Sequence, residues 1–340
     1  MATLKQIGKE LGLSVTTVSR ALNGFPEVNE ATRVKVRETA ERLGYRPNRI
    51  AQRLVTGRSG MVGMILKIKP DMSADQTFFQ TLTGMTAALA AHETDLVLAV
   101  DQDADPVQAY RKLLERNIVD GFILNAPVRD DPRIAYLKDQ NIPFVLHGRD
   151  RDAPDYPFYD IDNHAVSTDA VDLLANLGHR RIALINGEVQ YTFGLDREAG
   201  FRQAMAGRDL APGWIVNDAT LEQQGYQAAL DMLSQANAPT AFVCFSTLVA
   251  AGVMQAARDK GLSIPKDVSI VAHDDALPQT RAIEFNPALT VTRAPLRDAP
   301  EPLVNHLISV LRGAAATDHQ QLVRAELILR GSTGPVPSVP

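Results

Sequence analysis

Residues 13–24 read LSVTTVSRALNG. Ser14, Thr16, Thr17 and Ser19 spread small hydroxyls through a stretch where Val15, Val18, Ala21 and Leu22 recur at helical spacing, with Arg20 among them. Short hydroxylated side chains allow close approach to a duplex and donate hydrogen bonds to phosphate oxygens. An arginine in their midst can reach guanine O6 and N7 with both arms of its fork. The chemistry on offer is anion binding and base reading. Taken alone, the stretch also fits a surface helix with Ser and Thr as caps.

A second polar group falls just after apolar runs of strand length. Asn125 ends GFILN, His147 and Arg149 follow PFVL, Arg197 opens a helix after RIALING, and Asp274 and Asp275 follow VSIVA. A guanidinium fork and a carboxylate suit adjacent hydroxyls, giving and taking pairs of hydrogen bonds. No catalytic constellation accompanies them. G-x-S-x-G, P-loop, H-E-x-x-H and metal-type Cys/His spacings are all missing from the sequence. The single cysteine, Cys244, lies inside an apolar run and makes a poor nucleophile. The expectation is a binding protein that is not an enzyme, with no cofactor and no metal.

The elements that must hold these residues divide the chain. Residues 1–58 carry 11 Lys+Arg against 5 Asp+Glu, net +6, and the rest carries 24 against 35, net -11. A basic head on an acidic body suggests that the head meets an anion. Thr3 and Gln6 form a capping box, Leu4, Ile7 and Leu11 make an apolar stripe, and Gly12 ends a first helix. Ser14 caps a second helix over 15–22, closed by Asn23-Gly24, and Asn29 caps a third that reaches Gly44. Three short helices with a tight first turn predict a helix-turn-helix. In that motif the N-terminal residues of the second helix meet base edges. Asn48 can cap a further short helix carrying Ile50, Ala51, Leu54 and Val55. So short a helix needs a partner in water.

From residue 61, strand-length apolar runs alternate with helical segments in two series, MVGMILKI to PFVLH and then RIALIN to VSIVA. That alternation predicts an α/β body with two Rossmann-like parallel sheets. Ligands of such sheets sit outside the carboxyl ends of the strands, and the cleft between two lobes is the natural site. Trp214 opens a short strand and reads as packing, while Tyr191, Phe193 and Thr220 lie in loops near the cleft. No apolar run nears the roughly 20 residues that span a bilayer, and the start MATLKQIGKE has no secretory h-region. A cytoplasmic protein is expected.

The stretch from Thr3 to Leu54, with its pieces TVSRALNG, V-x-x-x-TR-x-KV and LGY-x-PN-x-x-A-x-x-L in order, closely resembles the headpiece of the LacI/GalR regulators. VDGFIL, LGHRRIALI, REAGFRQA, PTAFVC and IPKDVSIVAHDD resemble that family's type I periplasmic-binding-protein body. The resemblance implies a headpiece over 1–46, a hinge helix and linker over 47–58 and an effector and dimerisation domain over 59–335. Three crossings between lobes are expected near 161, 290 and 320. They assign about 60–160 and 291–320 to lobe 1, and about 161–290 and 321–335 to lobe 2.

It also implies roles. Val15, Thr16 and Arg20 face base edges, while Ser14, Thr17, Ser19 and Asn23 touch phosphates. Asn48, Arg49, Ala51 and Leu54 belong to a hinge helix in the minor groove, with Leu54 as an apolar wedge. Read without the family, Leu54 would pack on the body. Arg197 and Asp274 match effector-binding positions. Phe78 and Phe79, expected in the loop after the first strand, match an aromatic position suited to a sugar face. Two departures stand out. Gly8 replaces a usual alanine, at a cost of about 1 kcal/mol in helix propensity. Ser246-Thr247 replaces a usual Asn-Asp pair, so Ser246 joins Asn125, His147 and Arg149 among the candidate effector contacts. The expected function is a homodimeric repressor on a palindromic operator, released by a mono- or disaccharide. The competing readings are a transport-type sugar-binding protein and a regulator with a purine effector.

Overall fold

A computed structural model describes residues 2–45, 58–67, 76–101, 104–278 and 280–337. The expected hinge helix, with Asn48, Arg49, Ala51 and Leu54, lies outside the described residues. By contacts the chain forms two units, Met1–Ser59 and Gly60–Pro340.

The first unit holds α1 (Leu4–Leu11), α2 (Val15–Leu22) and α3 (Glu30–Arg42). Each start is capped as the sequence predicts. Thr3 Oγ1 accepts from Gln6 N at 3.3 Å while Gln6 Oε1 accepts from Thr3 N at 2.8 Å. Ser14 Oγ accepts from Thr17 N at 3.0 Å, and Asn29 Oδ1 accepts from Thr32 N at 2.8 Å. Ile7, Val18, Ala21, Val28, Val36 and Ala40 form the buried core of the three helices. Gly8 has a local reason. A Cβ there would stand 2.6 Å from the Leu13 carbonyl oxygen, so the turn from α1 into α2 closes over the position.

The second unit contains two six-stranded sheets. In chain order its elements are β1 (Met61–Lys67), α4 (Gln76–Ala90), β2 (Asp95–Asp101), α5 (Gln108–Glu115), β3 (Gly121–Asn125), α6 (Pro132–Asp139), β4 (Phe144–His147) and β5 (Phe158–Ile161). Then come α7 (Asn163–Asn176), β6 (Ile182–Ile185), α8 (Thr192–Ala206), β7 (Trp214–Val216), α9 (Glu222–Leu233), β8 (Ala241–Cys244), α10 (Thr247–Asp259), β9 (Ser269–Asp274) and β10 (Thr290–Arg293). The series closes with α11 (Pro300–Leu311), β11 (Gln320–Val323) and β12 (Glu326–Ile328). Lobe 1 has the strand order β11-β5-β4-β3-β1-β2 and lobe 2 the order β12-β10-β9-β8-β6-β7. All pairings are parallel except β10 with β12.

Central strands such as IALI and AFVC are buried throughout, as expected of parallel strands covered by helices on both faces. Each sheet separates two apolar cores, one around Phe122 and Tyr156 and one around Met85 and Leu303 in lobe 1, one around Phe242 and Val253 and one around Leu174 and Phe201 in lobe 2. Helices α9 and α10 pack closely, because a Cβ at Gly252 would stand 2.0 Å from the Glu222 carbonyl oxygen.

The chain passes between the sheets three times. The first crossing lies between β5 and α7, near residue 162. The other two fall a few residues later than the resemblance implied. β10 pairs with β9 and stays in lobe 2, so the return is made over 294–299. β11 pairs with β5 in lobe 1, so the last crossing is at 324–325. Val166, Ala294 and Ala325, with Ile161 against them, bring the three crossings into one small apolar cluster. Phe78 and Phe79 also differ from expectation. Both lie within helix α4 rather than in a loop, and Phe79 is 51% exposed.

Candidate nucleic-acid interface and interlobe cleft

Helix α2 divides cleanly by burial. Val18 and Ala21 face inward, whereas Ser14, Val15, Thr16 and Arg20 are exposed. Among the described residues Arg20 makes no ion pair, which leaves its guanidinium available to a partner. The half-buried Thr17 and Asn23 are ordered by their neighbours. Thr17 Oγ1 lies 2.8 Å from Ser14 Oγ, and Asn23 Nδ2 donates to Ser19 O at 2.8 Å. The helix thus presents hydroxyls and a methyl-rich edge at its N-terminal end, which attracts anions, and a cation, Arg20, in its last turn.

In the second unit the candidate effector residues gather at strand ends on both sides of the interlobe space. Asn125 and His147 are register partners on β3 and β4, and the His147 ring lies 6.1 Å from that of Tyr159. Arg149 Nε donates to Asp160 Oδ2 at 2.9 Å. Across the gap, Arg197 is buried on α8. Its Nε donates to Asn163 Oδ1 and its Nη1 to the Phe245 carbonyl, both at 2.9 Å. Its guanidinium rests 4.9 Å above the Phe245 ring. Phe193 stacks beyond Phe245 and Tyr191 beyond Phe193, at 6.0 and 5.5 Å. Ser246 caps α10, its Oγ accepting from Val249 N at 3.2 Å. The lobes touch where Thr192 N donates to Pro127 O at 2.9 Å and where Arg129 approaches Asp196 at 3.8 Å.

The two adjacent aspartates divide their duties. Asp274 ends β9, accepts from Ala276 N at 2.8 Å and faces Arg293 on β10 at 3.5 Å. Asp275 is the carboxylate whose charge acts on both His147 and Arg197. Burial opposes its ionisation, yet the His273 ring and the Arg197 charge outweigh burial and hold its pKa below the usual range. Burial pushes His147 down to about 4, against the pull of Asp275. It pushes Arg197 down to about 10 despite Asp275 and Asp160, and Asp160 up to about 6 despite Arg149. Cys244 is buried and its thiol is pushed up, so it offers no nucleophile. Among the described residues no cluster of three or more His, Cys, Asp or Glu could hold a metal.

Of the residues the sequence singled out, Asn125 and His147 end neighbouring strands of lobe 1 with Arg149 just after, Arg197 lies on α8 and Asp274 ends β9 in lobe 2. Asp160, Asn163 and Phe245 were not singled out. Asn163 reads as a helix start and Phe245 as an apolar residue beside a strand. Only their contacts with Arg197 mark them.

Residues 3–48 match the family model of bacterial regulatory proteins of the lacI family, and residues 171–333 match a periplasmic binding protein-like domain. The HTH-type transcriptional regulator AglR of Rhizobium meliloti (strain 1021) is 42% identical over 337 residues, covering 98% of this chain and 95% of that protein. The chain belongs to the LacI family. As a LacI-family member it is a DNA-binding transcriptional regulator. Its fold matches the crystal structure of the lac repressor dimer bound to operator and the anti-inducer ONPF, with a TM-score of 0.79 at 25% identity and coverage of 98% and 99% of the two chains. It also matches the transcriptional regulator CelR in complex with cellobiose, with a TM-score of 0.70 at 25% identity and coverage of 98% and 100%. These relatives are regulators rather than enzymes. Among the described residues of this LacI-family chain no helix is long and apolar enough to cross a membrane.

Proposed function

We propose that this LacI-family regulator acts in the cytoplasm as a homodimeric repressor on a palindromic operator, and that a neutral mono- or disaccharide held between its lobes releases it. Two heads on a palindrome require two-fold symmetry. Val15, Thr16 and Arg20 read bases, while Ser14, Thr17, Ser19 and Asn23 hold phosphates. In the cleft, Asn125, His147, Arg149, Arg197 and the Asp274-Asp275 pair meet sugar hydroxyls, and Ser246 adds a hydroxyl at the start of α10. Phe78 and Phe79 remain the candidate aromatic face.

One observation carries the choice of ligand. The cleft arginines already face carboxylates: Arg149 meets Asp160, Arg129 meets Asp196 and Arg293 meets Asp274. The Arg197 charge is met by Asp275. These described arginines are already matched by carboxylates, whereas hydroxyls find both donors and acceptors. The complex of the relative CelR with cellobiose supports the same class.

Calorimetry with cellobiose, melibiose, maltose, sucrose and galactose, beside purines and amino acids, tests the reading. A sugar should bind and weaken operator affinity in fluorescence anisotropy, and Arg197→Ala should abolish that response while preserving operator binding. Tight binding of a nucleobase with no sugar response would overturn it.

A further inference from the structure

The first crossing between the lobes contains a polar chain that ends on Arg197. Arg149, after β4 in lobe 1, donates from Nε to Asp160 Oδ2 at 2.9 Å. Asp160, on β5, also accepts from Ile161 N at 2.8 Å. Asn163 opens α7 on the far side of the crossing and is 4% exposed. Its Nδ2 donates back to Ile161 O at 3.0 Å and lies 3.4 Å from Asp160 Oδ1. Its Oδ1 accepts from Arg197 Nε at 2.9 Å. One amide therefore holds the crossing with its donor and the arginine with its acceptor.

We infer that Asn163 is a positioning residue that carries effector contact at Arg197 into the first interlobe crossing; the inference rests on the effector site proposed above. Arg197 is restrained on two further sides, by the Phe245 carbonyl and the Phe245 ring, which is itself backed by Phe193. Two of its five N–H donors are thereby used, and the remainder can meet a ligand. A hydroxyl that displaces the guanidinium draws on Asn163, because Nε is bonded to the Asn163 oxygen at 2.9 Å and the Phe245 ring limits movement on its own side. The Asn163 side chain then pulls on Ile161 O and Asp160, whose strand belongs to the other sheet. A hinge absorbs domain movement at a few such element-terminal residues. The residue type follows from the two tasks. An aspartate would keep the acceptor but lose the donor and face the Asp160 charge. An alanine would lose both and leave the buried Arg197 Nε without that acceptor.

The test uses the full chain, with Asn163→Asp and Asn163→Ala beside the wild type and Arg197→Ala. For the sugar that calorimetry selects, the coupling is the ratio of operator Kd with and without saturating sugar. Asn163→Asp should keep sugar affinity within about threefold while the coupling falls about tenfold toward unity. Asn163→Ala should lose both. Operator affinity without sugar should stay unchanged in each. A merely structural role would instead lower melting temperature and leave the ratio alone. Wild-type coupling in Asn163→Asp overturns the inference while leaving the sugar reading intact. A ligand response that survives Arg197→Ala overturns both. Hydrogen exchange decides the matter without any ligand, including if no sugar binds or an Asn163 variant fails to fold. Arg197→Ala should quicken exchange over 160–165 by about tenfold and leave 241–244 unchanged. Unaltered exchange over 160–165 overturns the inference.

Discussion

Lowering the pH from 7 to 5 should destabilise the regulator through His147, and the amount can be worked from its surroundings. The ring sits at the end of β4 against Tyr159, only partly exposed, and burial lowers its pKa from 6.5 to about 4. In the unfolded chain the imidazole takes a proton as pH falls through about 6.5, while the folded ring resists until about 4. The unfolded state binds the proton first, so stability is present above this window and is lost as pH drops through it. At pH 5 the two titration curves imply a loss of about 2 kcal/mol relative to pH 7. His147→Gln keeps polarity and removes the titration. Thermal melts of both proteins from pH 7.5 to 5 should converge or cross, the wild type losing about 3 °C relative to the variant. Parallel melting curves would refute the reasoning, as would an NMR titration of His147 with a midpoint near 6.5.

Three further predictions concern other parts of the chain. Arg20→Ala should weaken specific operator binding by ~1–3 kcal/mol and relax one base position per half-site; an unchanged specificity ratio in anisotropy would remove Arg20 from base reading. Asp275→Asn should reduce sugar affinity about tenfold, in keeping with loss of a charge-assisted hydrogen bond, and Asp274→Asn, which disturbs Arg293, should lower melting temperature more than affinity; calorimetry showing the reverse order would reassign the pair. Gly252→Ala forces a methyl against the Glu222 carbonyl and should destabilise by about 1–2 kcal/mol once the gain in helix propensity is subtracted; a rise in melting temperature would show that α9 and α10 can part without strain.

The headpiece was legible because its instructions are local. Thr3, Ser14 and Asn29 each cap a helix by bonding an N–H three residues on, and Gly12 ends α1 with a φ of 68°. The alternation of strand and helix was legible for the same reason. Membership of β10 and β11 was not. Their short apolar patterns suit either sheet, and only the pairing of Thr290 with Val271 and of Gln320 with Phe158 decides. Choosing between Asp274 and Asp275 needed the end of β9 to within one residue, because alternate side chains face opposite sides. Asn163 and Phe245 act on Arg197 from 34 and 48 positions away, a separation that no periodicity encodes.

The late return of the chain to both sheets has a consequence for its synthesis. A ribosome delivers residues 61–293 with neither sheet finished. Phe158–Ile161 stays a bare edge until β11 emerges, and Thr290–Arg293, once made, is a second one until β12 emerges; both invite pairing with other nascent chains. Both outer strands then emerge within the single stretch Gln320–Ile328, so the two lobes seal almost together. A premature stop anywhere between β10 and β11 therefore leaves two open edges at once. Such a product is expected to be cleared or to aggregate rather than to persist as a half-working regulator, so a truncated allele would not compete with the intact protein for its DNA.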